Sequence, residues 1–265
     1  MKKMISLALA LTLGLSLTAC GSKNAENTES ASDLAYVQDK GTLVVGITEF
    51  EPMDYQDADG NWVGFDADMA SLFAESLGVE VQFQLIDWDS KVMELDGKTI
   101  DVVWNGMTLT EDVKEAMECS NPYFNNAQVV IVKADQAEKY QTTDSLKELN
   151  FSVENGSAGM EQADAYSLSY TPVLDQATAL LEVSSGTADA AIIDYLMAVA
   201  STGEGTSYEN LTYTVSLADE QYGVGFRKGS DLAAKLNEFF AEKYADGTMK
   251  QVADKYGIAE KLVEQ

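Results

Sequence analysis

The chain contains no histidine and one arginine, Arg227, among 265 residues. Catalytic triads built on histidine, His-ligated zinc and imidazole proton shuttles are therefore absent. Two cysteines, Cys20 and Cys119, lie on opposite sides of the boundary where the folded part is expected to begin, so neither an internal disulfide nor a paired-cysteine metal or redox site is available to it. Basic residues are few, with 17 Lys and Arg against 44 Asp and Glu and a formal charge of −27. Such a charge repels nucleic acid and anionic headgroups, while it raises solubility and the local concentration of cations.

One long apolar run is present, Met4 to Leu17, preceded by Lys2-Lys3 and followed by Leu17-Thr18-Ala19-Cys20. It is too short for a stable membrane span and resembles a bacterial lipoprotein signal. That resemblance implies cleavage after Ala19, lipidation of the Cys20 thiol and a mature chain anchored by lipid on the outer side of the cytoplasmic membrane. Residues 20–32 contain only small and polar side chains after the cysteine and read as a flexible tether. Roughly 230 residues remain from Asp33, enough for one large domain or two small ones.

Strand and helix patterns alternate from there. Leu43–Ile47 and Ile100–Trp104 are apolar runs fit for buried strands, and Val79–Leu85 between them is a further strand. Asp57–Gly60 is a turn. Asp66 is expected to cap a helix carrying Met69, Leu72, Phe73 and Leu77 on one face, with Gly78 as its stop. Trp88, Val92 and Leu95 fall at helical spacing. Asn105-Gly106 reads as a turn, and Thr110 as the N-cap of the next helix. Further strands are expected at Val129–Val132, Phe151–Val153, Ala190–Ile193, Thr212–Leu217 and Tyr222–Phe226, and helices from Ala158, over Asp175–Ser185, over Ser230–Asp246 and over Thr248–Tyr256, the last with a Thr248/Gln251 capping box. Short connections between parallel strands call for right-handed crossovers and an α/β fold.

The segments VVGITEF, NWVGFDADMASLFAESLGV, DWDSKVMELDGKTIDVVWNGMTLT, SNPYFNNAQVVIVK, GTADAAIIDYLMA, QYGVGFRKGSDLAAKLN and ADGTMKQVADKYG follow one another in order. Together they resemble the extracellular solute-binding proteins of family 3, the polar amino-acid-binding proteins of ABC importers. The resemblance implies a type II periplasmic-binding-protein fold of two lobes joined by two crossover strands: residues 33–131 with 221–265 as lobe 1, and 132–220 as lobe 2. It implies capture of a small polar solute between the lobes and delivery to permease and ATPase subunits, by a monomer without cofactor, metal or nucleic-acid partner. Enzymes similar to cyclohexadienyl dehydratases share this fold and form the alternative, although no nucleophile and base are paired here.

By the same resemblance Asp194 receives an ammonium group of the ligand, and Phe50 and Trp88 wall its side-chain pocket. Asn105, Gly106 and Thr108 hold its polar end, with Ser157 and Ala158 as their counterpart in lobe 2. Helix capping is the alternative for an Asp at position 194, and core packing for a Trp at 88. Glu49 and Glu154 are added as acidic residues near the expected cleft. One departure stands out: the family's Thr-x-x-Arg, whose arginine grips the ligand carboxylate, is here Thr110-Glu111-Asp112-Val113. Arg227, after the second crossing, is expected on the lobe surface.

Overall fold

The computed structural model describes residues 32–265; the signal and Cys20 lie outside the described residues. Ser32, the last residue of the expected tether, caps the first helix by accepting the N–H of Ala35 at 3.0 Å.

In chain order the elements are α1 (Asp33–Lys40), β1 (Thr42–Ile47), β2 (Tyr55–Gln56), β3 (Trp62–Val63), α2 (Phe65–Leu77), β4 (Glu80–Leu85), α3 (Lys91–Asp96) and β5 (Val102–Thr108). There follow α4 (Glu111–Ala116), β6 (Glu118–Cys119), β7 (Phe124–Lys133), β8 (Asn150–Glu154), α5 (Ala158–Ala165), β9 (Ser169–Val173), α6 (Gln176–Ser185), β10 (Ala190–Asp194) and α7 (Tyr195–Ser201). A long β11 (Leu211–Phe226), then α8 (Leu232–Ala245) and α9 (Thr248–Lys255), complete the chain. Among the described residues no helix is long and apolar enough to cross a membrane.

The large sheet runs in the order β4-β1-β5-β11-β7-β10-β8-β9, with β6 beside β11. β1 pairs in parallel with both β4 and β5, and β8 pairs in parallel with both β9 and β10. Between these two parallel sets, β7 and β11 run antiparallel to one another and to their outer neighbours β10 and β5. The fold is thus mixed α/β, with the apolar runs of β1, β5, β7, β8 and β10 fully or largely buried as strands covered on both faces require.

Several local expectations are corrected. β5 does not end at Trp104: Asn105 and Gly106 stay in the strand, because Met107 and Thr108 still pair with Gly223 and Tyr222 across a register shift. The chain turns after Thr108 instead, and Thr110 then caps α4 through the N–H of Val113. β11 is one strand rather than two, since residues 218–222 keep their pairing with 124–128. Asp66 is not a cap; it sits inside the first turn of α2, whose N-cap is Gly64, and its carboxylate is buried against β5. The Thr248/Gln251 capping box is also absent, Gly247 being the N-cap of α9.

Arg227 is not on the surface. It is 8% exposed, its Nε lies 3.0 Å from an oxygen of Asp33, and its Nη1 donates to the carbonyls of Leu95 and Ile100. Asp101 stands 3.5 Å away on the other side and also receives Lys40. A buried guanidinium requires such a set of acceptors, and here Arg227, just after β11, draws them from α1, α3 and the loop before β5.

Candidate functional site

A cavity of about 440 Å³ opens beyond the carboxyl ends of β1, β5, β8 and β10, the position where an open α/β sheet offers side chains and unpaired main-chain groups to a small solute. Thr48, Phe50, Trp88, Lys91, residues 105–108 and the start of α4 form one wall. Glu154, the turn before α5, the first turns of α5, Gln176 and Asp194 form the other. The cavity brings together Phe50, Trp88, Asn105, Gly106, Thr108, Ser157, Ala158, Glu154 and Asp194. Glu49 is outside the lining; it is half-buried, with its carboxyl raised by burial.

The first wall is held rigidly from behind. Asn105 uses its whole side chain on the scaffold: Oδ1 accepts the N–H and hydroxyl of Thr48, while Nδ2 donates to Thr48 O and to Asp54 Oδ2 at 2.8 Å. The Gly106 N–H goes to Asp66 Oδ2 at 2.6 Å, and the same oxygen takes the hydroxyl of Tyr123 at 2.8 Å. Gly106 has φ +55°, and a Cβ there would meet the Phe50 ring at 2.5 Å, so glycine lets that ring approach the strand closely. Thr108 is the next polar side chain along this wall. Val113, at the position of the family's arginine, contributes an apolar surface.

The second wall is acidic. Asp194 is 3% exposed at the end of β10, and its side chain makes no helix-capping bond. Instead Oδ1 accepts from Asn126 Nδ2 at 2.6 Å, Gln128 Nε2 at 3.1 Å and the Tyr222 hydroxyl at 2.8 Å, while Gln176 donates to Oδ2. Burial raises its pKa and these hydrogen bonds oppose the rise. Glu220 shares Asn126 and Gln128 with it, and burial followed by the Asp194 charge pushes Glu220 up to about 9. Of this pair, Glu220 is the more strongly raised.

Glu154 at the end of β8 is also 3% exposed, and its Oε1 has no hydrogen-bond partner. Burial, then the negative charge of Asp194, pushes it up to about 8. Five carboxylates line the cavity (Asp112, Glu154, Glu161, Asp164 and Asp194) against one cation, Lys91, among the described residues.

Lys91 and Gln176 were not singled out from the sequence. Lys91 follows Trp88 by three positions, the spacing that places two side chains on one helical face, and its Nζ lies 4.9 Å from the Trp88 ring centroid. Gln176 follows the N-cap Asp175 and both gives a hydrogen bond to Asp194 and accepts one from its N–H.

Residues 43–259 match the model of the bacterial extracellular solute-binding proteins, family 3. The arginine-binding extracellular protein ArtP of Bacillus subtilis is 29% identical over 98% of this chain and 100% of its own length. Among solved structures, a mutant of ArgBP from T. maritima superposes with a TM-score of 0.79 at 31% identity, covering 84% of this chain and 98% of that one. An ancestral amino-acid-binding protein described as a precursor of cyclohexadienyl dehydratase superposes with a TM-score of 0.77 at 29% identity, covering 85% and 99%.

Proposed function

Because the chain belongs to the bacterial extracellular solute-binding proteins of family 3, we propose that it is the capture lipoprotein of an ABC importer and that its ligand carries a positive charge. It is a binder rather than an enzyme, as its named relatives are binding proteins. Two lobes, 33–131 with 221–265 and 132–220, close on the solute by bending at the β7/β11 pair, and the Cys20 lipid keeps the protein beside its permease and ATPase partners.

The observation that carries the charge assignment is Glu154, a carboxyl group in the cavity wall with one oxygen unpartnered and Asp194 as its neighbour. Burying two carboxyls side by side is costly, and a cation between them removes the cost. Relatives named for arginine, histidine and cystine agree with a compact amino compound. Val113 in place of the clamp arginine argues for an amine or quaternary ammonium compound, or for a cationic amino acid whose carboxylate is held without a guanidinium. Phe50 and Trp88 supply the flat faces that bury methylenes or receive the cation.

Calorimetry of the chain from residue 20 onward, with Cys20 replaced by serine, against arginine, lysine, choline, glutamine and glutamate tests the reading. Saturable 1:1 binding confined to cationic solutes is expected. Binding of glutamate, or of glutamine alone, overturns the assignment.

A further inference from the structure

One bond crosses the cavity from wall to wall. Lys91 Nζ donates to Gly156 O at 3.0 Å and to Trp88 O at 3.2 Å. Trp88 and Lys91 follow β4, one end of the strand order, and Gly156 follows β8, next to the other end. Residues from opposite ends of the sheet path meet only because the path folds over the cavity.

The meeting is close. A Cβ on Gly156 would stand 2.7 Å from Asp89 Oδ1 and 2.9 Å from Asp89 Cα, and Gly156 has φ +69°, so both space and conformation call for glycine. Lys91 itself is 8% exposed, although among the described residues no carboxylate lies within ion-pair distance of it. Its ammonium is spent on main-chain carbonyls, one from each wall. Burial lowers its pKa, and Glu154, Asp89 and Glu161, from both sides of the cavity, hold it up.

We infer that Lys91 is a positioning residue of the binding site: its bond to the Gly156 carbonyl latches the two walls together and sets how much of the ligand-free protein is closed. The latch also fixes what a ligand meets, since it ties the carbonyl of Trp88 to the turn that presents Ser157. Removing one hydrogen bond from a charged donor shifts a two-state equilibrium by about tenfold to a hundredfold. The inference rests on the two-lobe capture reading above, and its test uses no ligand. Failure here therefore leaves the cation assignment standing, and a protein that captures no cation can still be latched.

The test compares ligand-free wild type with Lys91→Met, which keeps the apolar stem and removes the donor. Small-angle scattering is expected to show a larger radius of gyration for the variant. Amide hydrogen exchange is expected to speed up by about tenfold over residues 154–161 and 88–91 while β5 keeps its protection. An unchanged radius together with unchanged exchange overturns the latch, as does a uniform rise that includes β5, which would make Lys91 a general stabiliser. Should Lys91→Met fail to fold, wild type decides by itself. Acetic anhydride is expected to acylate Lys91 at least about tenfold more slowly than the exposed Lys147, and equal rates overturn the inference.

Discussion

The Asp66 carboxylate accepts the main-chain N–H of Gly106 at 2.6 Å, so the cavity wall at β5 hangs from an acid buried in the first turn of α2. Its other oxygen has no partner, and burial raises the group to about 7. An unfolded Asp titrates near the ordinary carboxylate value, so between about pH 4 and 7 the native state holds a proton that the unfolded chain has lost. Stability from this group is present below that window and is lost as pH rises through about 7. Asp54 beside it is raised as well, by burial and by the Asp66 charge, and acts with the same sign. Asp66→Asn keeps an oxygen for Gly106 and Tyr123 without the charge. The urea midpoint of wild type is expected to fall between about pH 5 and 7.5, and that of the variant to fall less. Parallel curves would remove Asp66 as the source.

Glu154 predicts proton-linked binding. With its carboxyl at about 8, the ligand-free protein holds a proton there at neutral pH, and an incoming cation favours the ionised form. Affinity is expected to rise between about pH 6 and 8, with proton release seen as a dependence of binding heat on buffer ionisation enthalpy. In Glu154→Gln the pH dependence should flatten and binding at about pH 8 should weaken by roughly 30-fold. Buffer-independent heats in wild type would count against the ion pair.

For Asp194, truncation of one partner of a buried charged pair costs about 2 to 5 kcal/mol, so Asp194→Ala should weaken cation binding by roughly 30-fold or more. Four side chains donate to this carboxylate, so Asp194→Asn, which retains its shape, separates charge from scaffold. Titration of both variants decides: a loss of less than about threefold in Asp194→Asn would make the residue a structural anchor.

Val113→Arg asks whether the ligand has an α-carboxylate. If it has one, a bidentate guanidinium at the family position tightens binding. If it has none, the new charge repels the cation, and binding falls. We expect the fall, given the five acids around the cavity and the apolar side chain now in that wall. Tighter binding at matched ionic strength would return the protein to the amino-acid binders.

Much of the architecture was legible because buried strands read as unbroken apolar runs: Val102–Trp104 and Ala190–Ile193 need no context to be recognised. Polar edges gave no such signal. β9, SYTPV, is largely exposed and pairs on one side only, and nothing in its pattern marks it as a strand. The turn into α5 was legible, with Ser157 standing at its N-cap and its hydroxyl taking the N–H of Met160, whereas Asn105-Gly106 read as a turn and stays in β5. The sequence was opaque where a long side chain finds partners far away in the chain. Arg227 is buried because Asp33 and Asp101 meet it, and Lys91 because Gly156 does; no local pattern contains these pairs. Asp66 looked like a cap because its position suits one, and only the proximity of Gly106 turns it inward.

The single long β11 bears on how the chain is made. β5 is completed only when residues 222–226 arrive beside 102–108, and β7 only when residues 211–222 arrive beside 124–133. A chain leaving the ribosome N-terminus first therefore emerges with two uncovered edges, those of β5 and β7, both waiting for β11. Until β11 is synthesised, the exposed edges of β5 and β7 are the points at which a chaperone, or another unfinished chain, would find this protein.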